Sequence, residues 1–232
     1  MFKNITHVYF DLDHTLWDFE TNSREALSEI FEKFELGKKG VRGVDDFIRV
    51  YEKVNHRMWD EYRRGVRSKA QLRKERFPTA LGLFEIKEEQ IAKDANAYYL
   101  EHSPRKTNLF DHAHETLEYL KTKYKLYIIT NGFQEIQTIK MQNSKLDLYF
   151  EDVITSEMVE VRKPDPKIFA HALQLGNAKA ENSVMIGDDA DVDVIGAQDC
   201  GMKGIFFNPL KTSHKKKVDH EIQNLRELKS IL

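Results

Sequence analysis

The chain has 232 residues, enough for one large domain or for a core domain carrying a smaller insert. Its 36 Lys and Arg nearly balance 38 Asp and Glu, which removes any global electrostatic case for a nucleic acid polymer or a membrane surface as principal partner. The 41% hydrophobic fraction suits an ordinary soluble core, and no apolar stretch approaches the length that spans a bilayer.

The first element is an apolar run from Ile5 to Phe10, read as a strand that ends in two carboxylates, Asp11 and Asp13. Side chains alternate along a strand, so the two lean to the same side if the extension persists. Like charges that close need a cation between them or a proton on one of them. A helix cap or a turn is the alternative for this pattern taken alone. The same two residues interrupt the only apolar candidate for a signal peptide. Cys200 is the sole cysteine, which excludes an internal disulfide and leads us to expect a reducing cytoplasm.

Residues 17–104 change texture. The pattern is helical and rich in charge, with helices predicted near 21–35, 44–64, 68–77 and 87–102. Breaks are expected at Gly37, Gly40, Gly43, Gly65 and around Pro78–Gly82. A crossover between parallel strands needs only about a dozen residues, so a block this long directly after the first strand reads as an insertion.

From about residue 105 onward, short β-rich runs alternate with helices. The runs are Leu126–Thr130, Val153–Thr155, Val184–Ile186 and Ile205–Phe207. Ala113, Leu117 and Leu120 mark one amphipathic helix. Asp165 is placed to cap another that opens on Pro166. Alternation of this kind predicts βαβ units and an α/β fold: a Rossmann-like parallel sheet core, 1–16 and 105–232, with the helical segment 17–104 inserted after the first strand.

The strand ends collect a particular chemistry. Thr130-Asn131-Gly132 offers a hydroxyl, an amide and backbone N–H groups to phosphate oxygens, with a plain turn as the alternative. Lys163 precedes Pro164, which disfavours helical backbone at the lysine and should hold it extended in its loop. After Val184–Ile186 come Gly187 and then Asp188, Asp189, Asp191 and Asp193, a density of carboxylates that asks for a cation. Ligands of open parallel sheets gather beyond the carboxyl ends of the strands. The sum is an oxygen-rich site for a hard divalent ion, with a carboxylate available as nucleophile.

In order and spacing these motifs resemble the haloacid dehalogenase-like hydrolases over essentially the whole chain. The first motif is Asp11-Leu12-Asp13-His14-Thr15-Leu16, the second centres on Thr130, the third on Lys163 and the fourth on Gly187-Asp188 with Asp193. The resemblance implies that Asp11 attacks phosphorus and that Asp13 protonates the leaving oxygen and then activates water. It implies that Thr130, Asn131 and Lys163 hold the phosphoryl group. Asp11, Asp188 and the backbone of Asp13 would ligate Mg²⁺, with Asp193 in support. Whether Asp189 or Asp191 touches the metal is left open, and His14 fills a variable slot.

The inserted block is similar to the cap of the house-cleaning pyrimidine 5′-nucleotidases, through Asn55 to Gly65, Leu72 and Arg76-Phe77. That implies a small phosphorylated substrate, a pyrimidine nucleoside monophosphate, with Trp59, Tyr62, Asn55 and Arg76 as candidates for reading its base. Packing inside the helical bundle is the alternative for the aromatic residues. A sugar-phosphate phosphatase or mutase shares the core residues. Asp13 argues against a dehalogenase, since a halide leaves without a proton. A signalling receiver domain, from a different class, is about half this length and has no insert, and a non-catalytic binding protein is at odds with so complete a motif set.

Overall fold

The computed structural model of the protein describes residues 2–232. Its contacts divide the chain into two compact units: the stretch ending at Phe19 together with Thr107–Leu232, and Glu20–Lys106. The larger unit is built on a six-stranded parallel sheet. In chain order the strands are β1 (His7–Phe10), β2 (Lys125–Thr130), β3 (Asp152–Thr155), β4 (Ser183–Gly187), β5 (Lys203–Phe207) and β6 (His220–Ile222). Their order across the sheet is β3-β2-β1-β4-β5-β6, so β1 is central and pairs Phe10 with Ile128 on one side and with Ile186 on the other.

Central strands of such a sheet are covered on both faces and read as continuous apolar runs. Val8, Phe10, Leu126, Ile128, Val184 and Ile186 enter one core cluster, while Tyr9, Tyr127, Ile129, Ile154 and Met185 enter the other. Of the core helices, α5 (Ala113–Lys121) brings Ala113, Leu117 and Leu120 to the first cluster, and α6 (Gln134–Asn143) brings Met141. After the short α7 (Ser156–Val159), α8 (Pro166–Leu175) brings Ile168, Phe169 and Ala172 to the second. Asp165 caps α8 as its position ahead of Pro166 suggests, accepting from the Lys167 N–H at 2.9 Å. The chain closes through α9 (Gly196–Asp199) and α10 (Leu228–Ile231).

The smaller unit consists of α1 (Phe19–Lys33, less its first residue), α2 (Val44–Arg63), α3 (Lys69–Gly82) and α4 (Glu89–His102). Among the described residues no helix is long and apolar enough to cross a membrane.

Three details differ from the sequence reading. The boundary of the larger unit falls after Phe19 and not after Leu16, because Trp17 is fully buried in the first core cluster and bridges Asp13 and Leu109. Helix α3 runs through Pro78 to Gly82, carried by the buried stripe Leu72, Phe77, Ala80 and Leu81. Strand β6 has no apolar run to announce it: only Ile222 is buried, and the strand forms by pairing with β5.

Candidate functional site

The topology reverses at β1, with β2 on one side and β4 on the other, and this is where open sheets leave a crevice for ligands. Asp11 stands one residue beyond β1, and its N–H still bonds the Ile186 carbonyl of β4 at 2.9 Å. Asp188 stands one residue beyond β4. Asp11, Asp188 and Asp193 each offer a carboxylate oxygen, and these oxygens lie within 4.8 Å of one another. Thr15 Oγ1 donates to Asp188 Oδ1 at 3.1 Å and fixes one of them.

Lys163 is the counter-charge. Its side chain is 2% exposed, and Nζ donates to Asp11 Oδ1 at 2.5 Å, Asp193 Oδ1 at 2.7 Å and the Ile129 carbonyl at 2.7 Å. Burial works against the ammonium, but Asp11 and Asp193 outweigh it and hold the lysine charged beyond its ordinary range. One cation among three carboxylates does not balance the site. Burial, with Asp193 nearby and against the pull of Lys163, pushes Asp11 up to about 7. Burial and the Asp11 and Asp193 charges raise Asp188 well above the carboxylate range. Three oxygen donors converging under that residual repulsion are a fitting set for a hard divalent ion such as Mg²⁺, which supplies the missing positive charge.

The loop after β4 is shaped for this purpose. Gly187 has no room for a Cβ, which would run into the Asp193 carboxylate. Asp189 Oδ1 instead accepts from the N–H groups of Asp191 and Val192, at 3.1 and 3.0 Å, and so caps the π-helical turn Ala190–Ile195. Asp191 pairs with Lys216 at 2.5 Å and is well exposed. Of the four carboxylates in this loop, Asp188 and Asp193 enter the cluster, Asp189 caps the turn, and Asp191 pairs with Lys216 outside the loop.

Asp13 takes a separate position. Gln137 Nε2 donates to its Oδ2 at 2.8 Å and Lys140 Nζ to its Oδ1 at 2.5 Å. Burial raises this carboxyl, but Lys140 and Gln137 prevail and hold it below the usual range. Thr130 Oγ1, at the end of β2, accepts from the Gly132 N–H at 3.0 Å and from Gln137 Nε2 at 2.8 Å.

Asn131, expected at the phosphate, uses its side-chain amide on a neighbouring loop. Its amide is engaged at both ends by the backbone of Lys163, donating to the carbonyl at 3.1 Å and accepting from the N–H at 2.8 Å. It ties the lysine loop to the end of β2. Gln137, Lys140 and Thr15 escaped the sequence reading. A signal existed for the first two: with Met141 they are the buried positions of α6, at helical spacing, so two polar residues occupy its inward stripe.

The residues expected to read a base are placed inside the helical unit. Asn55 and Arg76 are 2% and 4% exposed, and Arg76 Nη1 donates to Asn55 Oδ1 at 3.1 Å. The Arg76 guanidinium lies 5.4 Å from the centre of the Tyr99 ring. Asn55 and Arg76 form an internal polar contact of the helical unit, in which Arg76 Nε is buried without a hydrogen-bond partner among the described residues. Tyr62 is buried and packs edge-on against the half-buried Trp59, centroids 5.5 Å apart.

Comparisons with known proteins bear on the family and the fold. A family model described as haloacid dehalogenase-like hydrolase matches residues 5–201. The pyrimidine 5′-nucleotidase PynA of Streptococcus pneumoniae is 29% identical, covering 94% of this chain and 91% of its own. The pyrimidine 5′-nucleotidase YjjG of Escherichia coli is 28% identical over 87% of this chain and 85% of its own. Among solved structures, YfnB of Bacillus subtilis, bound to magnesium, superposes with a TM-score of 0.87 at 25% identity and covers 99% of both chains. A parallel sheet with Asp11 at its switch point, the motif order and the matched family model together make this chain a member of the haloacid dehalogenase-like hydrolases.

Proposed function

We propose that the protein is a Mg²⁺-dependent phosphomonoester hydrolase that works through an aspartyl phosphate on Asp11, with pyrimidine nucleoside monophosphates as its substrates. The observation that carries the chemistry is Asp11 itself: 8% exposed, beyond the central strand, held by Lys163 and within reach of Asp188 and Asp193. A buried carboxylate so placed is suited to nucleophilic attack on a centre whose oxygens are neutralised by neighbouring cations.

Asp11, Asp188 and Asp193 would hold the metal, which neutralises phosphoryl charge when bound. The Asp11 carboxylate attacks phosphorus, the bond from phosphorus to the leaving oxygen breaks, and that oxygen takes a proton from Asp13. Against burial, Lys140 and Gln137 hold Asp13 ionised in the free protein, and it takes up its proton when the negative charge of the phosphate ester arrives beside it. Water then attacks the phosphoryl group and gives a proton to Asp13. The bond from phosphorus to Asp11 breaks, freeing inorganic phosphate and regenerating the nucleophile. Lys163 stabilises the charge on the transferring group and keeps Asp11 in place. Thr130 borders the same crevice at the end of β2 and offers its hydroxyl to phosphate.

The nucleotide assignment is supported by PynA and YjjG, which align along most of their length. The test is phosphate release from a panel of nucleoside monophosphates and sugar phosphates, with Mg²⁺ and with chelator. Pyrimidine nucleotides should rank first and chelator should abolish turnover. Hexose phosphates ranking first would overturn the substrate while leaving the chemistry, and full activity in chelator would overturn the metal.

A further inference from the structure

Helix α6 turns two polar side chains inward. Gln137, Lys140 and Met141 are its buried residues, and the spacing of three between the first two sets them side by side. An ammonium in the interior is costly unless it is paired. Lys140 is 5% exposed, and its Nζ lies 2.5 Å from Asp13 Oδ1, 4.2 Å from the centre of the Trp17 ring and 5.6 Å from that of Phe19. The aromatic faces beside the ammonium favour its charge. Gln137 shares its two N–H bonds between Asp13 Oδ2 and Thr130 Oγ1, both at 2.8 Å. Gly132 makes this geometry accessible, because a Cβ there would collide with the Gln137 amide. Both oxygens of Asp13 are thus gripped from one helix face.

We infer that Lys140, with Gln137 beside it, is a positioning residue that sets where the Asp13 carboxyl stands for proton transfer to the leaving oxygen. The inference rests on the acid–base role given to Asp13 in the proposed reaction. Without Lys140 the carboxyl keeps one side-chain contact, to Gln137, and can rotate about it. Attack by Asp11, held separately by Lys163, is left intact. The deficit should therefore appear only where the leaving oxygen needs its proton.

The experiment compares wild type with Lys140→Met, which keeps an unbranched stem against Trp17 without the charge. kcat/KM is measured over a series of phosphate esters from aryl to alkyl leaving groups. This parameter covers the steps up to loss of the leaving group. The expected result is a loss on the order of 10- to 100-fold for alkyl esters, with little loss for good aryl leaving groups. KM should change little, and Lys140→Arg should restore much of the alkyl activity. A loss equal across the series, or no loss in a folded variant, overturns the role of Lys140. If Lys140→Met does not fold, Lys140→Gln is carried through the same series with the same two outcomes. Wild-type protein inert on every ester overturns the proposed function and this inference with it; wild-type turnover with a flat response in the variant overturns the inference alone.

Discussion

Lys163 Nζ sits between Asp11 and Asp193, 2.5 Å from one carboxylate and 2.7 Å from the other, so a single buried cation separates two buried anions. A third carboxyl group, that of Asp188, converges on the same two. The arrangement explains how the sheet tolerates charge at its switch point and gives the lysine a structural role beside the one proposed for it in catalysis.

Lys163→Ala should therefore fail in two ways. Removing one partner of a buried ion pair costs about 3–5 kcal/mol because the other charge is left uncompensated. In chelator the variant should melt well below wild type, and Mg²⁺ should recover part of the gap by replacing the lost positive charge. Turnover should fall by about 10²–10³-fold even in saturating Mg²⁺, since the metal does not take over the charge Lys163 brings to the transferring group. A variant that melts and turns over like wild type would reduce Lys163 to a bystander.

Gly187→Ala tests how closely the metal loop is built. The methyl group would have to share space with the Asp193 carboxylate, at a position buried in β4. Overpacking of this kind costs about 1–3 kcal/mol. The displaced carboxylate should also weaken Mg²⁺ binding, seen as a higher metal concentration for half-maximal activity. Unchanged metal dependence in Gly187→Ala would mean that Asp193 does not need its present position.

His7 gives a pH dependence away from the site. Its Nε2 lies 3.1 Å from the Gly176 carbonyl and its Nδ1 2.8 Å from Thr6 Oγ1, a pairing met by the neutral ring with its proton on Nε2. Burial lowers its pKa below the ordinary 6.5, against the Gly176 bond, and Lys125 adds to the lowering. The unfolded chain then binds the proton at a higher pH than the folded one. The stability His7 contributes is complete above about 6.5 and is lost as the pH falls from there through the folded-state value. Urea midpoints of wild type should drop across that window more steeply than those of His7→Gln. Parallel pH profiles would show that the ring is not held neutral.

Much of this fold is written where physics allows only one reading. The central strands must be apolar on both faces, so Val8 to Phe10 and Val184 to Ile186 stand out as runs. Asp11 and Asp188 are conspicuous because they interrupt such runs at their ends. Lys163 shares its loop with Glu160, Arg162 and Asp165 and is marked out by the proline that follows it. What stayed hidden depends on pairs far apart in the chain. Lys140 looks like a surface residue on an amphipathic helix until Asp13 and Trp17, more than a hundred residues earlier, are folded against it. The bonds of the Asn131 amide to the Lys163 backbone have no trace in the sequence around either residue. Arg76 and Asn55 look like surface donors until the bundle closes around them. Strand β6 exists through β5 and has almost no signal of its own.

Asp188→Asn separates stability from function. In the absence of metal Asp188 is buried beside Asp11 and Asp193, and its charge is opposed by burial first and by those neighbours next. An asparagine of the same shape removes that repulsion, and its Oδ1 can still accept from Thr15 Oγ1. Without metal the variant should be more stable than wild type, by roughly 0.5–2 kcal/mol, as when a strained functional group is neutralised. With Mg²⁺ the order should reverse. The metal binds the folded wild type and raises its melting temperature by mass action, whereas the variant has lost an anionic ligand and should respond weakly. Activity should fall at least about 10²-fold, the scale on which loss of an electrostatic contact to the transferring group is felt. Thermal melts of both proteins in chelator and over a Mg²⁺ series, with phosphate release at each point, measure all three expectations together. A variant less stable than wild type in chelator would show that the three carboxylates do not repel one another as their convergence implies, and would remove the physical reason for placing a cation among them.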